Sequence, residues 1–83
     1  MKVFVLIMSD RDMRPLSDMT TTAVFLERED ALAAMENDIK CAIENEQISD
    51  AEVERYPKSG FAVSLDKRFM WKIEERIICP RQN

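Results

Sequence analysis

The residues that could do chemistry in this 83-residue chain are few and badly spaced for it. There is no histidine, so the side chain that most often serves as a general base near neutral pH is missing. Cys41 and Cys79 form no C-x-x-C pair, and without histidine the roughly four N or S ligands of a structural zinc site cannot be assembled. Two reduced, partly buried thiols are the expectation. Asp10 and Asp12 are spaced like the opening ligands of a calcium loop, but the loop glycine and the closing bidentate Glu are absent, which points to a solvated loop. Glu74 and Glu75 are adjacent carboxylates that a strand sends to opposite faces, with Glu75 expected near a sheet edge or beside an Arg. Ser9, Ser17, Ser49, Ser59 and Ser64 have no partner pattern, and the single glycine, Gly60, sits at a turn rather than in a phosphate-cradling loop. No catalytic residue, metal or cofactor is assigned, and the chain is read as non-enzymatic.

The elements that must position these side chains are organised around Glu27–Glu46. Ala31, Leu32, Met35, Ile39, Ala42 and Ile43 recur at i, i+3, i+4, i+7, the stripe of a helix starting near Arg28 and ending near Gln47. Glu36, Lys40 and Glu44 fall on another face, with Glu36 one turn before Lys40. Glu29 and Asp30 suit the positive end of the helix dipole. No glycine comes after it, so the last turn is expected to fray or tighten.

Lys2–Met8 is a short β-branched apolar run that suits a central strand. Ser9–Asp18, with Pro15, reads as a loop, and Met19–Leu26, with its threonine run, as a second strand. Ser49-Asp50-Ala51-Glu52 is a capping box flanked by Ile48 and Val53 at the staple positions, which predicts a short helix over Asp50–Tyr56 stopped by Pro57. Phe61–Leu65 and Phe69–Ile78 alternate on either side of Asp66-Lys67-Arg68 and predict a hairpin. Phe61, Val63 and Leu65 share one face of the first run, and Phe69, Trp71, Ile73 and Ile77 one face of the second. Pro80-Arg81-Gln82-Asn83 reads as a loose tail.

The expected fold is one α+β domain over residues 1–83, in the order ββααββ. It is a two-layer sandwich: a four-stranded, mostly antiparallel sheet with one long and one short helix on one face. The first strand is placed in the interior, paired with the last. The apolar run of MKVFVLIM is too short for a signal-peptide core or a membrane span, and the chain is expected in the cytoplasm.

Charge is unevenly spread. Residues 27–54 hold ten acids against Arg28 and Lys40, a net of −8, while the remainder carries +4. Such asymmetry bears on encounters rather than on folding. Carboxylates spaced along helices can imitate a row of phosphates, so Glu29, Glu36, Glu44, Asp50, Glu52 and Glu54 are the candidate contacts for a larger basic protein, including one that handles nucleic acid. Phe61, Phe69 and Trp71 beside Lys67, Arg68, Lys72 and Arg76 raise direct nucleic-acid stacking, but a domain this small needs those rings for its core, and its net charge of −4 opposes phosphate.

If the helices cover one face, the first strand presents either Phe4, Leu6 and Met8 or Val3, Val5 and Ile7 on the other. With Met70 and Ile78 this forms an apolar patch that predicts a homodimer, through the sheet or an edge, or a docked partner. In size and acidic character the chain resembles phage- or plasmid-encoded inhibitors of bacterial defence complexes, anti-CRISPR proteins among them; the likeness is of composition and scale. It implies a protein that binds and blocks a larger partner. The other class the residues allow is a homodimeric accessory or small-ligand-binding domain, in which the acids only solubilise.

Overall fold

The computed structural model describes residues 1–10 and 19–78. Asp12, the body of the Ser9–Asp18 loop with Pro15, Cys79 and the tail from Pro80 lie outside them. Five strands form one sheet: β1 (Lys2–Asp10), β2 (Met19–Phe25), β3 (Val53–Tyr56), β4 (Phe61–Ser64) and β5 (Phe69–Ile77), in the order β2-β1-β5-β4-β3. Every neighbouring pair is antiparallel. One helix, α1 (Arg28–Glu44), packs on one face. The α+β class, the antiparallel sheet, the interior first strand and its pairing with the last are as expected.

The strand and helix counts are not. Four strands and two helices were expected, but Asp50–Tyr56 is a single 3-10 turn, Asp50–Glu52, leading into β3. The capping box does close: Glu52 Oε1 accepts from the Ser49 amide at 3.2 Å and from its hydroxyl at 2.6 Å. It starts a turn that has nowhere to go. Pro57 denies helix to the residue before it, leaving fewer than two turns, too short to offset the cost of nucleation. As a strand the same residues pair along β4, Val53 with Ser64 through Tyr56 with Phe61. The boundary at Pro57 therefore stands, but it ends a strand.

The core lies between α1 and the near face of the sheet. Leu6, Met35, Ile39, Val53, Ala62, Phe69 and Trp71 form one buried cluster, with Met8, Phe25, Leu32, Ile43, Ile48 and Ile73 packed against it. The helical stripe buries Ala31, Met35, Ile39 and Ala42 as its spacing predicts. One row across the near face, Met8–Trp71–Ala62–Arg55, explains an inversion of the expected parity in β4. Trp71, at 2% exposure, lies directly across from Ala62, which has no exposure at all. A larger residue at 62 would take the volume the indole fills. Ala62 and Ser64 thus face the core, and Phe61 faces the other way. The indole Nε1 donates to Asp38 Oδ2 at 2.6 Å, so the largest core side chain is satisfied by the helix that covers it.

Ser64 is buried because it closes the β4–β5 turn. Its hydroxyl donates to Asp66 Oδ1 at 2.6 Å and accepts from the Phe69 amide at 3.0 Å, while Asp66 Oδ1 also accepts from the Arg68 amide at 3.0 Å. Those bonds, the Ser64 hydroxyl first and the Arg68 amide second, hold the Asp66 carboxyl below its ordinary pKa. Arg68 then reaches Asp10, Nε to Oδ1 at 3.0 Å, with its guanidinium 4.5 Å above the Phe69 ring. Glu75, expected near a sheet edge or beside an Arg, lies on the stretch of β5 that runs beyond its pairing with β4 and pairs loosely with Lys2 at 3.7 Å, and Ile77, expected in the core, is 74% exposed on the same stretch.

Of the two expected outcomes at the helix end, fraying or tightening, the second is found. The Gln47 amide donates to the Ala42 carbonyl and the Glu46 amide to that of Ile43, both at 3.0 Å, the paired bonds of a Schellman motif. Glu46 occupies its left-handed position at φ 59°. The same backbone region at Gly60, φ 62°, carries the β3–β4 connection, and there a Cβ would stand 3.0 Å from Ile73 Cβ. Arg28 fixes this turn to the start of α1, its Nη2 donating to the carbonyls of Pro57 at 2.8 Å and Lys58 at 3.0 Å.

These two left-handed positions predict opposite outcomes. Glu46→Gly removes a strained side chain from an exposed site and is expected to stabilise the fold by about 0.5–1 kcal/mol. Gly60→Ala adds strain and a clash, and is expected to cost about 2 kcal/mol or more. Urea denaturation of both variants checks the pair.

Candidate functional site

The acidic residues singled out from the sequence do not form one surface. Glu29, Glu36 and Glu44 project from the exposed side of α1, with Lys40 among them. Glu36 does not pair with Lys40. Its Oε1 accepts from Arg55 Nε at 2.9 Å, and Arg55 Nη2 donates to Asp50 Oδ1 at 2.9 Å. Arg55 comes from β3, the strand that was expected to be helix, which is why this clamp was not visible in the helical reading. Partial burial works to lower the Arg55 pKa, but bonds to Asp50 and Glu36 and their charges outweigh it, so the guanidinium stays firmly charged. Glu52 is held in the Ser49 box. Glu54 lies on the opposite face of the sheet, where its Oε2 accepts from the Tyr56 hydroxyl at 2.6 Å. Two of the six acids, Glu29 and Glu44, make no hydrogen bond or ion pair within the described residues.

The sheet face away from α1 is where the apolar surface collects. Alternation along β1 puts Val3, Val5 and Ile7 there, and β5 contributes Met70, as the second of the two sequence alternatives requires. Register sets the side chains in rows: Thr22–Ile7–Lys72–Phe61–Tyr56 across all five strands, with Val24–Val5–Glu74 on one side and Met70–Val63–Glu54 on the other. Val3 and Val63 are buried, Ile7, Val5, Phe61 and Met70 half-buried, and Val24 is 61% and Tyr56 47% exposed. Tyr56 and Phe61 form a tilted ring pair with centroids 6.1 Å apart. The charges in this face balance: Glu74 pairs with Lys72 at 3.2 Å and with Arg76, and Glu54 stands at the far edge. The one long helix of the described residues lies on the other side of the sheet, and exposure across this face is uneven, with Val3 and Val63 at 4%.

Sequence reasoning foresaw a patch here but missed Phe61, Val63 and Tyr56 as members. Large residues on the alternating face of β4 were read as core, and the signal that could have corrected this was the small Ala62 opposite Trp71.

On the helix side, two shallow clefts of about 530 and 500 Å³ meet at Ile43 and Asp50, between the end of α1 and residues 46–55. Neither gathers an acid–base pair or a nucleophile. Cys41, expected partly buried, is an exposed thiol. No group of His, Cys, Asp and Glu able to hold a metal occurs among the described residues, and no helix among them is long and apolar enough to cross a membrane. The chain matches no protein-family model, no curated protein and no solved structure.

Tyr56 reports on the open face. Its hydrogen bond to Glu54, and then the carboxylate's charge, hold the phenol above its ordinary pKa of about 10. Since the raised group is favoured in its neutral form, the associated stability is complete below the ordinary value and lost as pH rises through the folded one. The chain has a single tyrosine, so phenolate absorbance follows it unambiguously. Glu54→Gln is expected to bring the titration down toward the ordinary value; an unchanged titration would show that the contact does not form in solution.

Proposed function

We propose that this protein is a non-enzymatic binding protein that works by occupying the surface of a larger protein, and that the open sheet face makes the contact. The observation that carries the reading is the row of Ile7, Phe61 and Tyr56 with Val5, Val24 and Met70 around it, on a face that no helix of the described residues covers. Soluble domains rarely leave so continuous an apolar face open without a use for it. Tyr56 and Phe61, rigid rings near the face's rim, suit the role of anchors. The balanced charge of Lys72, Arg76, Glu74 and Glu54 favours a protein surface over a phosphate backbone.

A second reading keeps the acidic side of α1 as the contact, docking onto a basic surface that ordinarily holds nucleic acid. Glu29 and Glu44, without hydrogen-bond or ion-pair partners in the described residues, support it. The engagement of Glu36, Asp50 and Glu52 in internal bonds, and the placement of Glu54 on the other face, support the first reading over it.

Two variants separate the readings in a capture experiment with tagged protein at low salt and well above about 0.15 M. Phe61→Lys with Ile7→Lys is expected to lose a partner that the wild type retains at both salts, with circular dichroism confirming the fold. Glu29→Lys with Glu44→Lys is expected to keep it. The reverse pattern, with a partner released by salt, would transfer the function to the acidic side; a partner held by both variants would overturn both surfaces.

A further inference from the structure

We propose that β2 is a pairing edge for a second copy of this chain, joining two five-stranded sheets antiparallel into one ten-stranded sheet. β2 is outermost in the strand order and is bonded to β1 alone; among the described residues nothing lies beyond it. A strand at an edge presents a line of unsatisfied amides and carbonyls, and proteins that must remain single guard such lines with charge, proline, bulges or brevity. Met19–Leu26, MTTTAVFL, has none of these guards. It contains no charged residue, no proline and no glycine, it is rich in β-branched residues, and Thr21, Thr22, Val24 and Leu26 are exposed.

The other unpaired stretches of the same sheet are guarded. β3 is four residues long, carries Glu54 and Arg55, and runs directly into Pro57. β5 beyond the end of β4 carries Glu74, Glu75 and Arg76. Among the described residues, one edge is left open in a sheet that blocks its others.

The chemistry of that edge selects the occupant. An uncharged strand offers no complementary charge by which a foreign strand would be chosen, but it is complementary to itself. Two copies related by a two-fold axis at Thr22 place Thr22 opposite its own copy and Thr21 opposite Ala23. No like charges meet, and small and β-branched cross-strand neighbours are well tolerated. Because the opposite edge is blocked, pairing closes at two copies rather than extending into a fibre. Val24 lies beside Val5 on the open face, so the joined sheets would also make their two apolar faces continuous. The inference rests on the edge alone and holds whichever surface takes a further partner.

Sedimentation equilibrium of the untagged chain over a range of concentration is the test. The expected mass rises from 9.7 kDa toward twice that value. Thr22→Lys and Thr22→Glu each set like charges face to face across the axis and are expected to weaken the dimer at least tenfold, with the monomer's circular dichroism unchanged. An equimolar mixture of the two is expected to restore a dimer, which no loss of folding could produce. Amide exchange of residues 21–24 should slow with concentration in the wild type. A monomer at every concentration would overturn the proposal, as would a dimer indifferent to Thr22 or a mixture that stays monomeric. A dimer broken by Phe61→Lys and not by Thr22→Lys would make the contact face to face and overturn it equally.

Discussion

Among the described residues a single α-helix has to cover a five-stranded sheet, and most of this structure is a response to that shortage. α1 has 17 residues, about 25 Å of helix roughly 10 Å wide, against a sheet whose four strand spacings of about 4.8 Å span some 19 Å. Its apolar stripe lies over β1, β2 and β5. The two short strands beyond add Val53 and Ala62 to the core, and directed bonds tie that side of the sheet down further: Trp71 of β5 to Asp38, Arg55 of β3 to Glu36 and Asp50, Arg28 to the Pro57–Ser59 turn. Each engages a polar group that would otherwise be free to meet a partner. Among the described residues no helix is left for the far face, for the same reason. A chain of this length has residues for one covering layer, not two.

This shortage also sets what could be read from the sequence. The long elements were legible because their periods are sustained: the α1 stripe, the apolar β1, the alternation of β5. The errors fall where a few residues had to decide. Ser49–Glu52 is a true capping box, but the local signal says only where a turn begins. How far the helix then runs depends on Pro57 and on β4 waiting to pair. In β4 the larger residues were assigned to the core by size, whereas Ala62 faces inward because Trp71 already fills that space. Size preference is a rule about averages; the register decides the particular case. The helix end was legible in part, since tightening was one of its two expected outcomes. A helix without glycine after it can still close a Schellman motif if a non-glycine residue accepts the left-handed region, at a cost of roughly 1–2 kcal/mol.

The candidate site was only partly legible, and for an electrostatic reason. Counting acids along residues 27–54 measures net charge correctly, but it cannot show which carboxylates are already answered. Arg55 is one base in a segment read as helix, and moving it to a strand next to α1 lets it answer two of the six candidates. A capping box answers a third. The apolar half of the prediction fared better because it came from geometry: a strand in the middle of a sheet has two faces, and one layer of helix can hide only one.

The two surfaces that remain differ in what they can contribute to an encounter. The helix side keeps the excess of negative charge, and a field of that kind acts over about a Debye length, raising association rates with a basic partner and fading with salt. The sheet face has little net charge and acts only on contact, through apolar area and ring packing, which set how long a complex survives. They point in opposite directions, so one flat partner cannot engage both at once. If the sheet face grips, the acids on α1 are turned to solvent in the complex and serve to repel further copies and keep the assembly soluble. If instead the acids steer and grip, the apolar face stays exposed in the complex, a state that needs a second cover. The first arrangement leaves no apolar face exposed with one partner, and the second requires two.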